Sequence, residues 1–173
     1  MLIRDARLRA LAAYWLGIRA GRLVPIRRDF DPSRVAAVLP FIWIYDHEGE
    51  GRFRCRLAGD QVAMSFGRKV AGLELGEIFG AATLPGIRER FGRCLERVEA
   101  CHTTGMAETV EGHWVFGERL ALPLSRDGAA VDMLLGANVY DWSEAPREAP
   151  ATPDPILATF LTPDMLAAEL KES

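Results

Sequence analysis

The order of apolar patterns along the 173 residues predicts an α+β fold. The expected architecture is a five-stranded antiparallel sheet with helices on one face, preceded by an amphipathic helix. Three observations predict it. Phe41 to Tyr45 and Phe53 to Leu57 read as two strands joined by a Gly-containing turn. Residues 60–101 carry helical spacing. Residues 105–142 return to strand patterns broken by turn residues. Strands at both ends of a helical block argue for α+β over a parallel α/β sheet.

The elements follow in order. In residues 5–21, Leu8, Leu11, Ala12, Trp15 and Ile18 form one stripe, and Arg7, Arg9 and Arg19 lie mostly off it. Gly21 is a natural stop. A connector rich in Pro and charge, with Pro25, Arg27, Arg28, Asp29 and Asp31, leads to Asp31-Pro32. That pair caps and starts a short helix, Ser33 to Leu39. Phe41, Ile42, Trp43, Ile44 and Tyr45 form a run that suits a strand buried on both faces. In the next strand Phe53, Cys55 and Leu57 face one way, and Arg52, Arg54 and Arg56 the other.

Asp60 starts a short helix, and Leu73 to Phe79 is a second candidate. Thr83 caps a third, expected to run to about Cys101 with Ile87, Phe91, Cys94, Leu95, Val98 and Cys101 as its stripe. Strands are predicted over Gly105 to Glu111, Trp114 to Leu124 and Val131 to Trp142, with Gly112 and His113 as a hairpin signal. Trp114, Phe116, Glu118, Leu120 and Leu122 share one face of the second. Pro146, Pro150, Pro153 and Pro155 mark a semi-rigid linker, and a short helix follows Thr162 and Pro163. The expected organisation is residues 1–32 as N-terminal helix and connector, 33–142 as the domain, and 143–173 as linker and C-terminal helix.

Composition narrows the function classes. The formal charge of −3 gives no electrostatic reason to expect nucleic acid, so that partner is excluded at this point. The longest apolar run, Val35 to Tyr45, is too short to span a bilayer, and no membrane insertion is expected. Cys55, Cys94 and Cys101 have neither metal-ligand nor redox spacing, which fits a reducing cytoplasm and thiols that pack as small hydrophobes.

No catalytic set emerges, and an enzyme is not expected. Glu118, beside Leu120, is the acid on which isomerase or hydrolase chemistry in a cavity would depend. Arg22, Arg27 and Arg28 have the chemistry to grip phosphate, but Asp29 and Asp31 offer local partners. Arg54 and Arg56 lie either under a covering element or on a solvated face.

Tyr14, Trp15, Arg19, Gly21, Arg22, Pro25, Arg27, Asp29, Asp31, Pro32, Leu39 and Pro40 stand at fixed spacings. They resemble the opening of a bacterial family of small stand-alone PAS proteins, and Arg52, Phe53, Arg54, Arg56, Leu57 and Gly59 resemble its second-strand motif. The similarity spans roughly residues 8–142. Asp60 and the stretch Lys69-Val70-Ala71-Gly72 depart from the pattern.

The resemblance implies a sensory or interaction module with a cavity between sheet and helices. It names no ligand or cofactor. Phe53, Cys55, Leu57, Met64, Phe66, Phe79, Phe91, Leu95, Leu120 and Leu122 are the expected lining. In haem-binding relatives a histidine near this helix ligates iron, which makes His102 a formal candidate. The chain shows no Asn-Cys-Arg context for flavin chemistry. Output is expected through a signalling partner such as a histidine kinase, or through a homodimer built on Leu8, Leu11, Trp15 and Ile18.

Overall fold

The computed structural model describes residues 1–108, 114–141 and 156–171. Strands from both ends of the chain meet in one antiparallel sheet. They are β1 (Ile42–His47), β2 (Phe53–Ala58), β3 (Ala100–Glu108), β4 (Trp114–Leu124), β5 (Met133–Asp141) and β6 (Leu157–Leu161), in the spatial order β2-β1-β5-β4-β3-β6. β1 lies directly beside β5, with Trp43 opposite Gly136 and Ile44 opposite Leu135. The expected sheet is therefore present, with one more strand than predicted. β6 pairs with the edge of β3, Cys101 opposite Phe160, and removes that edge from solvent. The linker expected over residues 143–155 and the hairpin signal at Gly112 and His113 lie outside the described residues.

Helices cover both faces of the sheet. The inner layer is α2 (Asp60–Ser65), α3 (Leu75–Ile78) and α4 (Leu84–Arg97). The outer layer is α1 (Ala6–Ile18), the 3₁₀ segment Pro32–Phe41 and α5 (Pro163–Glu169). α4 ends earlier than its apolar spacing suggests. Val98 takes a left-handed conformation (φ 55°, ψ 47°), its N–H donates to the Cys94 carbonyl, and the chain enters β3. Cys101 and His102 are strand residues for that reason. The β-branched pair Thr103 and Thr104 suits the same conformation.

α1 corrects the expected dimer surface. Leu8 and Leu11 are 0 % exposed and Trp15 is 1 % exposed, packed with Ile42, Ile44, Leu120, Leu122, Leu124 and Leu135. Trp15 Nε1 donates to the Pro123 carbonyl at 2.8 Å. Ile18 is half-buried against the same cluster. The stripe is satisfied inside the protomer because the outer face of the sheet is itself apolar and needs a cover. Asp5 caps α1, accepting from the N–H groups of Arg7 (2.8 Å) and Leu8 (3.4 Å). The Glu169 carboxylate accepts from the N–H groups of Leu2 and Ile3, tying α5 to the N-terminus.

β2 carries a bulge. Ile44 is opposite Leu57 and Tyr45 is opposite Cys55, so Arg56 is an extra residue. The alternation changes phase there, and Leu57 leaves the inner face. Gly59 has no space for a side chain: a Cβ would overlap the backbone carbonyls of Leu39 and Pro40. That close approach accounts for a glycine in the second-strand motif.

Candidate functional site

The centre of the inner face is built from alternate residues of four strands. β1 contributes Trp43 and Tyr45, and β2 contributes Phe53 and Cys55. Leu134, Gly136, Asn138 and Tyr140 come from β5, and Arg119 and Ala121 from β4. α4 lays Ile87, Phe91, Cys94 and Leu95 over them.

Phe91 organises the aromatic half. Its ring stacks on Trp43 with centroids 5.3 Å apart and an interplanar angle of 28°. It meets the rings of Tyr45 at 5.5 Å and Phe53 at 5.4 Å edge-on. Such offset and T-shaped pairs stabilise beyond the area they bury. The Trp43 indole lies across β5 because Gly136 has no side chain. A Cβ there would overlap the ring and stand 2.5 Å from the Leu120 carbonyl oxygen. Trp43 Nε1 donates to Asn138 Oδ1 at 2.8 Å, and Asn138 Nδ2 donates to the Tyr140 hydroxyl at 3.4 Å. Phe66 and Phe79 form a separate edge-on pair, 5.3 Å between centroids, at the margin.

The face becomes polar beyond Tyr140. The Arg119 guanidinium stands over the Tyr140 ring, 5.5 Å from its centroid, and folds back over Gly117. Its Nη1 reaches the Gly117 carbonyl only at 3.5 Å, and its Nη2 is buried with no hydrogen-bond partner. Two of the thiols, Cys55 and Cys94, are held protonated, while the hydrogen bond from Cys94 lowers the pKa of Cys101 against its burial. Burial pushes Cys55 up to about 11, against a hydrogen bond from Tyr45. Cys94 is held protonated first by its hydrogen bond with Cys101 and then by burial. All three cysteines are free and buried, as expected.

Of the expected lining, Phe53, Cys55 and Leu95 are buried on this face, with Phe66, Phe79 and Phe91 packed around them. Leu57 and Met64 are 39 % and 69 % exposed: the bulge turns the first outward, and the second lies on the solvent side of α2. Leu120 and Leu122 belong to the opposite face, under α1. β4 is buried on both sides, so its more apolar parity did not identify the inner one. Trp43, Tyr45, Arg119, Asn138 and Tyr140 were missed. The signal for the first two is the alternation of aromatic with aliphatic residues along β1. The signal for Arg119 is a cation inside an apolar strand.

Glu118 also faces α1. Its carboxylate accepts from the N–H of Arg4 at 2.8 Å, from the N–H of Asp5 at 2.9 Å, and pairs with His102 Nε2 at 2.8 Å. Burial alone would raise its pKa, but the His102 hydrogen bond and the two backbone donors outweigh this and hold it below the usual carboxylate range. Both side chains are thus engaged as a clasp for the N-terminal segment, away from the inner face, and His102 is not presented to a cofactor there.

Of the other arginines singled out in the sequence, Arg27 lies over the Phe30 ring and four are locally paired. Arg22 binds Asp29 at 2.5 Å, and Arg28 approaches Asp29 at 3.9 Å. Arg54 holds Glu48 at 2.6 Å, and Arg56 holds Asp46 at 2.8 Å, all near the surface. Among the described residues no group of three or more His, Cys, Asp or Glu could hold a metal ion, and no helix is long and apolar enough to cross a membrane.

Comparison with known proteins places this geometry. No curated protein sequence matches the chain. Three solved structures resemble it. One is of VqmA bound to DPO (TM-score 0.50, 15% identity, 60% of this chain and 53% of that one). Another is the Vibrio cholera VqmA-ligand-DNA complex (0.51, 13%, 64% and 51%). The third is the Vibrio cholerae VqmA dimer in the absence of target DNA (0.52, 14%, 75% and 61%), described among LuxR-type receptors. The chain thus spans between 51% and 61% of the length of these structures, and the likeness is one of fold.

It corrects one expectation. Nucleic acid was excluded on net charge alone, yet this fold occurs in a protein solved with DNA. A whole-chain charge does not report where charges sit or what a further domain contributes. A family model described as PAS domain matches residues 3–139, well over half the sequence, and the chain belongs to the PAS domain family.

Proposed function

We propose that this protein is a sensory module that takes up a small molecule between its sheet and α2–α4, and passes the change to a signalling partner or a second copy of itself. One observation carries the reading: the two faces of the sheet are finished differently. The outer face is closed by aliphatic packing and a satisfied polar clasp. The inner face combines an aromatic cluster around the half-buried Phe91 with polar groups at Trp43, Asn138, Tyr140 and Arg119. An apolar site with a few placed polar groups is the usual form of a small-molecule site. The three buried thiols fit a reducing cytoplasm.

The enzymatic alternative is not favoured, because its acid, Glu118, is on the other side of the sheet with its lone pairs engaged. VqmA, of the same fold, was solved with a ligand, with DNA and as a dimer, which supports ligand uptake as a use of this architecture.

Native mass spectrometry of the freshly purified full chain tests the reading. The expected result is a small-molecule mass excess that disappears on unfolding, with the subunit count read from the same spectrum. A ligand-free chain whose melting temperature no member of a metabolite panel raises would overturn it.

A further inference from the structure

We propose that the polar end of the inner face is a carboxylate-binding site, in which the Arg119 and Arg90 guanidinium groups grip the acid group of a small organic acid while its body lies toward Phe91. The inference rests on the ligand-sensing reading above and specifies its ligand class.

Arg119 is the first argument. It sits in the middle of β4, between Glu118 and Leu120, both buried on the opposite face. Its neighbours across the sheet are Thr103 and Asn138, neither of them acidic. Its only hydrogen bond among the described residues is the 3.5 Å contact to the Gly117 carbonyl, and Nη2 has none. A buried cationic N–H without an acceptor is costly, and native structures rarely keep one without a use.

Other arginines of the chain show what ordinary structural pairing looks like. Arg88, on the same helix as Arg90, bonds Glu74 at 3.0 Å, and Arg93 bonds Glu99 at 2.8 Å. Arg88 Nε and Arg22 Nε also lack an acceptor, but each of those guanidinium groups holds a carboxylate through another nitrogen, whereas Arg119 has no acid among the described residues.

Arg90 is the second argument. It lies on α4 between Ile87 and Cys94, one helical turn from each, and is half-buried. Burial, foremost, and the charge of Arg119 lower its pKa, against the pull of Cys101 and the adjacent, exposed Glu89. It forms no ion pair among the described residues. The Arg90 guanidinium folds back over Gly86, one turn up the helix that covers β4, and like Arg119 it has no acid partner among the described residues. Two such guanidinium groups, one on the strand and one on its cover, offer the parallel hydrogen bonds that a carboxylate completes. The chain Arg119–Tyr140–Asn138–Trp43 then connects this cationic end to the ring cluster around Phe91.

Calorimetric titration and thermal unfolding of the full chain test the assignment. The probes are phenylacetate and octanoate, their neutral counterparts phenylacetamide and octanamide, and inorganic phosphate. The variants are Arg119→Met and Arg90→Met. At least one acid is expected to bind, with its amide at least tenfold weaker, and each substitution is expected to weaken the acid at least tenfold. Arg119→Met without ligand is expected to melt about 2–4 °C higher, because it removes an unsatisfied buried charge.

Equal binding of acid and amide, or undiminished acid binding by Arg119→Met, overturns the carboxylate site and leaves the sensory reading standing. Phosphate binding in place of both acids also overturns it. If no acid binds at millimolar concentration and Arg119→Met melts lower, Arg119 is a structural residue. A neutral molecule retained in native mass spectrometry would then still support the sensory reading.

Discussion

The two faces of one sheet teach different lessons. The outer face is aliphatic: Ile42, Ile44, Leu120, Leu122, Leu124 and Leu135 meet Leu8, Leu11 and Trp15, and every one of these is at most 1 % exposed. Its polar group, Glu118, has each carboxylate oxygen bonded. The inner face is aromatic and incompletely satisfied, with Phe91 half-buried and an Arg119 nitrogen lacking an acceptor. The first face has the features of a stability element, close-packed and sealed. The second keeps groups that are unfavourable in isolation. The bulge in β2 and the single-residue parity of β1 and β4 are what separate the two chemistries.

Substitutions can break or sharpen this contrast. The largest effect is expected from Trp15→Ala, which removes a buried ring and its hydrogen bond to Pro123. A loss of about 3–5 kcal/mol in urea unfolding is expected, and a dimer-to-monomer change without destabilisation would refute the intramolecular role of α1. Gly136→Ala places a methyl into the Trp43 ring and close to the Leu120 carbonyl. It should cost about 1–3 kcal/mol and shift Trp emission, since the indole must leave its seat.

Glu118→Gln should cost about 1–3 kcal/mol, because an amide nitrogen would then face a backbone N–H that needs an acceptor. The pH dependence has a definite sign. The folded pKa lies below the ordinary glutamate value of 4.5, so the stabilisation is complete above that pH and is lost as pH falls through the lower folded value. Acid unfolding curves of the wild type and Glu118→Gln should converge there; parallel curves would remove the clasp from the account.

Phe91→Ala on the inner face should cost only about 1–2 kcal/mol, given its partial burial, yet reduce affinity for any bound molecule more than Trp15→Phe does. Arg54→Ala, at an exposed ion pair with Glu48, is expected to leave the unfolding midpoint unchanged within error.

Much of this was legible from residues alone. The β1 run announced a strand buried on both sides, and the stripe of α1 announced a surface needing a cover. The resemblance carried by Tyr14 to Pro40 and Arg52 to Gly59 pointed to the family that the match over residues 3–139 establishes. The errors have different origins. Leu120 and Leu122 were assigned to the cavity because alternation gives two sets of residues per strand and does not say which set faces which layer. Leu57 was assigned there because the bulge at Arg56 interrupts an alternation that looks unbroken in the sequence. β6 escaped because Leu157 to Leu161 is short and acquires its strand conformation by pairing with β3.

Local pattern by itself determined five of the six strands and the main helices, that the chain closes an antiparallel sheet, and that α1 must be covered. These follow from periodicity and from the need to remove apolar surface from water. Tertiary structure alone decided that the cover is the protomer's own sheet, that Glu118 clasps the N-terminus, and that Arg119 lies over Tyr140 without an acid. Each of those facts joins residues distant in the chain, and a contact between strands depends on register, a bulge and the side of the sheet, none of which is encoded in any one segment.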